Sequence, residues 1–331
     1  MKIGICCGPE FLSQAKNAGA DYIEPSMAAM HDKSDAELRE FRKRSDDTDL
    51  PIDGFNGYFG GGISLYGDSD EKIRAYIERN CEVARILGGK YCVVGSGAQR
   101  RIPDGVDRTA YEAKFAHIVN VIGDLAAEYG LDICLEPLSR AETNFINTVK
   151  EGLAFARAAG NPRVGIVLDF FHFFANGEPI SDLDELRPGE PGHVHIAHPN
   201  NDRRAPRPED VDTLKIWKGK LQKAGYDGRI SLECRWDRDI AAEWKEAVPL
   251  VRRVFAAAAI ERGIAQGTDL GARCPGDRLG RGRICSGDRL GRGRICSGDR
   301  LGRKPDRANL ENFENYSDNC PDGRSTQRPQ K

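Results

Sequence analysis

Short apolar runs alternate along this chain with longer segments whose apolar positions recur at helical spacing. The short runs read as buried strands and the longer segments as amphipathic helices. Strands are predicted over Lys2–Cys6, Tyr22–Glu24, Ile52–Asn56, Tyr91–Gly95, Asp132–Glu136, Gly165–Asp169, His193–Ile196 and Arg229–Glu233. Helices are predicted over Pro9–Ala18, Ser34–Arg44, Asp70–Leu87, Thr109–Tyr129, Thr148–Ala159, a short stretch near Ile180–Leu186, Pro208–Ala224 and Ile240–Ile260. Gly19, Gly88 and Gly225 each stand just past a predicted helix, as a C-cap would. Strands alternating with helices imply a parallel sheet. Eight such units over about 260 residues imply closure into a (β/α)8 TIM barrel. An open doubly wound sheet would more often carry a Gly-rich dinucleotide fingerprint after its first strand. The turn here reads Cys6-Cys7-Gly8-Pro9, which is no such fingerprint.

Four ionisable residues each close an apolar run in the second half of the chain: Glu136, Asp169, His195 and Glu233. Residues ending several parallel barrel strands converge on one face, the catalytic one. Two Glu, one Asp and one His form a mixed oxygen and nitrogen donor set suited to a divalent ion. Each residue alone has a plainer reading. Glu136, fixed by Pro137, and Glu233, before Cys234-Arg235-Trp236, are also solvated strand ends. Asp169 is also a helix N-cap with a buried His172, and a lone strand histidine is more often structural. Four such residues on consecutive strands make coincidence the poorer account. His193-Val194-His195 is read with its histidines on opposite faces, His195 at the rim and His193 outward or lower down. Glu24 ends the second strand as a further rim carboxylate, with a substrate or a structural role. Gly57-Tyr58-Phe59-Gly60-Gly61-Gly62 lacks the Lys-Ser/Thr ending of a phosphate loop. It reads as a rim loop with Phe59 walling a substrate, or as a plain flexible loop.

Composition changes near residue 262, which divides the chain into a barrel domain over 1–262 and a tail over 263–331. The tail repeats GDRLGRGRICS at Gly276–Ser286 and Gly287–Ser297, and Gly and Arg dominate it. It reads as a disordered, basic, low-complexity segment. The formal net charge of −2 covers the whole chain, so the part before this basic tail is acidic. An acidic body disfavours nucleic acid as its main ligand. Cys6, Cys7, Cys81, Cys92, Cys134 and Cys234 fit neither a zinc ribbon nor a disulfide scaffold, and read as reduced thiols of a cytoplasmic protein. No stretch is long and apolar enough to cross a membrane, and Met1-Lys2-Ile3-Gly4-Ile5 enters a strand rather than a signal peptide.

Glu136-Pro137-Leu138-Ser139-Arg140, Leu168-Asp169-Phe170-Phe171-His172, His193-Val194-His195-Ile196-Ala197 and Ser231-Leu232-Glu233 together resemble the sugar isomerase/epimerase family with the xylose-isomerase-like barrel. Its ketose 3-epimerases and hydroxypyruvate isomerase-like members are the nearest branch. The resemblance spans about residues 1–260 and leaves out the tail. It implies one divalent ion (manganese, cobalt or magnesium) held by Glu136, Asp169, His195 and Glu233. It further implies that Glu142, His172 and an arginine after the histidine strand touch substrate. The loop before that arginine is one residue longer than usual, so Arg203 is assigned and Arg204 is the alternative. His198 stands where relatives generally carry an acid.

The implied chemistry is proton transfer at a carbon beside a carbonyl, through an enediolate, with Glu136 and Glu233 as the pair of bases. The expected substrate is a small sugar or related polyhydroxy ketone, and a homo-oligomer is compatible with the chain. Return of the proton to the neighbouring carbon would make an aldose–ketose isomerase. Loss of a β-hydroxyl would make an inosose-type dehydratase. An apurinic-site endonuclease needs a trinuclear zinc cluster, and only six histidines are present. A non-catalytic sugar-binding barrel would need no opposed carboxylates.

Overall fold

The computed structural model describes residues 1–199, 202–236 and 238–256. The segment read as a low-complexity tail over 263–331 lies outside the described residues. Eight strands form one all-parallel sheet: β1 Lys2–Ile5, β2 Tyr22–Ile23, β3 Gly54–Phe55, β4 Tyr91–Val94, β5 Asp132–Leu135, β6 Val164–Asp169, β7 Pro191–Ile196 and β8 Arg229–Leu232. Their order is β2-β1-β8-β7-β6-β5-β4-β3. Parallel bridges from Ile23 to Ile52 and from Ser26 to Asn56 join the two ends, so the sheet closes into a TIM barrel.

The connecting helices are α1 Leu12–Asn17, α2 Met27–His31, α3 Asp35–Thr48, α4 Asp70–Leu87, α5 Gly97–Arg100, α6 Arg108–Tyr129, α7 Val149–Ala159, α8 Phe170–Ala175, α9 Val211–Lys223 and α10 Ile240–Ala256. Local chemistry sets several boundaries. Ser34 with Glu37, and Thr148 with Glu151, close reciprocal capping boxes that start α3 and α7. Gly88 ends α4 in the left-handed conformation at φ 84°, where a side chain would be strained. The single helix predicted over Pro9–Ala18 is a 3₁₀ turn, Pro9–Phe11, followed by α1. The expected Ile180–Leu186 helix is also a 3₁₀ turn. The short helices α2, α5 and α8 have no counterpart in the prediction, because a stretch this short shows no full amphipathic period.

The molecule has an inner and an outer apolar layer. Inside the barrel, Tyr22, Tyr91, Val93, Cys134 and Val167 form one buried cluster. Gly4 and Gly54 make room for it. A Cβ on Gly4 would lie 2.3 Å from the Tyr22 ring, and one on Gly54 would lie 2.1 Å from the Tyr91 ring. The outer layer joins strands to helices. There Phe170 stacks on Trp217 of α9 at 3.9 Å, which holds α8 against its neighbour. Burying aromatic pairs of this kind contributes about 1 kcal/mol beyond their area. The consequence for the site is that His172, on α8, has a fixed approach to the barrel mouth. Of the cysteines expected to be thiols, Cys6, Cys81, Cys92, Cys134 and Cys234 are free. No helix among the described residues is long and apolar enough to cross a membrane.

Candidate metal centre

Strand ends β5 to β8 bring Glu136, Asp169, His195 and Glu233 to one point. One donor atom of each lies within 4.8 Å of the others. His195 Nδ1 stands at the centre, 3.0 Å from Glu136 Oε1, 3.1 Å from Glu233 Oε2 and 3.8 Å from Asp169 Oδ2. The pairing register explains the convergence, because Asp169 lies opposite His195 and His195 opposite Ser231, one residue short of Leu232. His195 is fully buried, Glu136 and Asp169 nearly so, and the Glu233 side chain is 23% exposed, so the mouth opens on the Glu233 side.

Asp169 does two things at once. Its Oδ1 accepts from the backbone N–H groups of Phe171 and His172, which starts α8. Its Oδ2 is buried without a hydrogen-bond partner and faces the cluster. An unpartnered buried carboxylate oxygen is costly, which points to a cation there. The charge balance agrees. Three carboxylates surround one imidazole, and the nearest guanidinium is that of Arg203. Burial drives the Asp169 carboxyl well above its ordinary range, against the pull of Arg203. Burial acts the same way on Glu233, but Arg203 and then His195 outweigh it and keep that carboxylate ionised. Three carboxylate oxygens and one imidazole nitrogen suit a hard divalent ion.

The three residues expected to face substrate surround this cluster. Arg203 Nη2 donates to Glu233 Oε2 at 2.5 Å and lies 3.7 Å from Asp169 Oδ2, and its Nη1 lies 3.7 Å from Glu142 Oε1. Its backbone takes φ 53°, uncommon without glycine, and its guanidinium lies 4.8 Å from the Phe171 ring centre. Arg204 turns away instead, toward Asp202, Glu209 and Asp210. His198 joins the same outer network, 3.1 Å from both Asp202 and Asp210, and so braces the loop that carries Arg203. His172 Nδ1 accepts from the Ser139 N–H at 3.1 Å, so a neutral ring carries its proton on Nε2. Burial and the Arg203 charge push this ring's pKa well below its ordinary value. Nε2 has no hydrogen-bond partner and lies 3.7 Å from Asp169 Oδ2. It is a donor free for a ligand.

A family pattern described as the xylose isomerase-like TIM barrel matches residues 12–254. The chain belongs to the xylose isomerase-like TIM barrel family. A D-psicose 3-epimerase from Agrobacterium fabrum is 30% identical over 236 residues, covering 68% of this chain and 78% of that protein. An inosose isomerase from Bacillus velezensis is 24% identical over 243 residues, covering 67% and 81%. Among solved structures, a D-psicose 3-epimerase crystallised in the presence of D-fructose matches with a TM-score of 0.65 at 23% identity. That match covers 77% of this chain and 99% of that one. Such relatives are epimerases and isomerases, and this member of the family is an isomerase.

Two expectations need correction. His193 and His195 do not lie on opposite faces: residues two apart on a strand share a face. Both rings point into the barrel, and both reach Glu24. Glu24 in turn is not at the rim. It is fully buried inside the barrel beneath His195. Phe59 is buried, stacks edge-on to Tyr58, and its N–H donates to Ser96 Oγ.

Sequence reasoning missed Arg100 and Ser139. Arg100 is fully buried, donates from Nη1 to Val94 O, and has no hydrogen bond at Nε or Nη2. Burial lowers its pKa to about 10, although Glu136 opposes that shift. Nothing in the one-dimensional pattern marks a charged residue as buried. Ser139 does lie within the quoted Glu136–Arg140 motif, where it serves His172 by its N–H and Glu142 by its hydroxyl.

Proposed function

We propose that this isomerase is a metal-dependent sugar epimerase or aldose–ketose isomerase acting on a small polyhydroxy ketone. The observation that carries the reading is the four-donor cluster with the buried, unpartnered Asp169 Oδ2 at its edge. Glu136, Asp169, His195 and Glu233 would hold one manganese, cobalt or magnesium ion. When bound, such an ion acts as a Lewis acid toward negative charge developing on carbonyl and hydroxyl oxygens.

The chain's own residues supply the proton chemistry. Glu233, kept ionised by Arg203 and His195, takes the proton from the carbon beside the carbonyl. The bonding electrons move into the carbonyl, which gives an enediolate. Glu136, whose strand β5 stands three places from β8 in the sheet, carries a solvent-derived proton and returns it to the other face. The centre is inverted, Glu233 holds the proton it took, and exchange with solvent restores both groups. His172 Nε2–H and Arg203 donate to substrate oxygens, and Glu142 accepts from a hydroxyl. A substrate of this kind and a cytoplasmic location, in keeping with the free thiols of Cys6, Cys81, Cys92, Cys134 and Cys234, belong to the same proposal.

Equilibrium dialysis against manganese, followed by mass spectrometry of the product from a panel of ketoses and inososes, tests this reading. Uptake of one ion per chain and a product of unchanged mass are expected. A product lighter by one water would make the protein a dehydratase and overturn the proposal. His172→Ala should raise KM about 5- to 10-fold, the equivalent of one hydrogen bond worth about 1 kcal/mol, and leave ion uptake unchanged. Loss of the ion in that variant would show that His172 belongs to the ion's own ligand set.

A further inference from the structure

We propose that Glu24 is the positioning residue that sets how His195 faces the carboxylate cluster, by holding the proton of the ring on Nε2. The inference rests on the proposed ion site. Its geometry is independent of any ion.

Glu24 follows β2 and is fully buried inside the barrel. A carboxylate at such depth is costly unless both oxygens are well bonded. Here each is. Oε1 accepts from His195 Nε2 at 2.9 Å. Oε2 accepts from Ser231 Oγ at 2.5 Å, Tyr91 OH at 2.7 Å and His193 Nε2 at 2.9 Å. Tyr22 OH lies 2.9 Å from Ser231 Oγ and directs that hydroxyl toward Glu24. The side chains are held in turn by the floor of the barrel, where Gly4 and Gly54 leave the space that the Tyr22 and Tyr91 rings fill.

An imidazole has two nitrogens, and the partner of one decides what the other offers. With a carboxylate oxygen of Glu24 accepting at Nε2, that nitrogen keeps its proton. Nδ1 is then left with a lone pair for a cation, at the point where Glu136, Asp169 and Glu233 meet. His193 supports the arrangement without competing. Its Nδ1 has no hydrogen bond, so its own proton also lies on Nε2, toward Glu24. A carboxylate behind a ligating histidine typically changes ion affinity by about 10- to 100-fold.

Glu24→Gln separates this role from simple packing, because it keeps the volume and removes the charge. Its single carbonyl oxygen cannot serve both sides. Either three donors face an amide NH2, or His195 Nε2 does and the ring proton moves to Nδ1. Magnesium affinity, measured by competition with a chromogenic chelator, should fall about 10- to 100-fold. In 15N-histidine spectra of the magnesium-loaded wild type, His195 should be protonated on Nε2, and Glu24→Gln should shift that signal. Wild-type magnesium affinity together with an unshifted His195 signal in the variant would overturn the proposal. If Glu24→Gln does not fold, the wild-type spectrum decides, and a His195 proton on Nδ1 overturns it. If wild-type protein takes up no ion, the proposed function fails separately. The ion-free spectrum still supports the inference when Nε2 carries the proton, and overturns it when only Nδ1 does.

Discussion

Glu233→Gln should leave the fold and the bound ion in place while solvent-proton exchange into substrate falls by about 100-fold or more, the usual scale for a general base. The substitution keeps the size and one oxygen, so one donor to the ion is retained and its affinity should fall modestly. What is lost is basicity. Glu233 is the most exposed member of the cluster and the one Arg203 touches directly. It is therefore the carboxylate best placed to meet a substrate entering through the mouth. Exchange is read by following deuterium incorporation under saturating manganese. Wild-type exchange with the ion bound would contradict the two-carboxylate mechanism and favour a one-base isomerase working through Glu136.

Gly95→Ala should cost about 100-fold in turnover with little change in thermal stability. A Cβ at Gly95 would stand 2.2 Å from Glu136 Oε2, far inside contact distance. The nearest atom is the tip of a flexible side chain, so the backbone need not move, and the Glu136 carboxylate must. A displacement of about 1 Å in a reacting or coordinating group is enough for a loss of that order. Gly61→Ala is the control, since nothing lies within 4 Å of a Cβ there. Equal activity in the two variants would mean that the Glu136 carboxylate is not held where the mechanism requires it.

The barrel and its rim were legible because parallel strands are buried on both faces. Their runs are largely apolar, so Glu136, Asp169, His195 and Glu233 stand out as ionisable residues at or near their ends. Depth was not legible in the same way. Glu24 closes a run just as Glu136 does, yet lies inside the barrel, because depth depends on how strands stagger around the closed sheet. The misreading of His193 has a different source. A strand's period of two puts His193 and His195 on one face, and both reach Glu24. For Asp169, the cap reading holds through Oδ1, and the other oxygen is left unpartnered beside the cluster, as the proposed site requires. Arg203 was chosen over Arg204 on the length of the loop, and what sequence does not display is the positive φ at which Arg203 sits.

The most direct test of the central claim is the fate of the proton at the carbon beside the carbonyl. The manganese-loaded protein, incubated with a panel of ketoses in deuterium oxide, should return product and residual substrate carrying one non-exchangeable deuterium at that carbon. Product formed with no deuterium would contradict the account, because two solvent-exchanging carboxylates could not then be moving the proton.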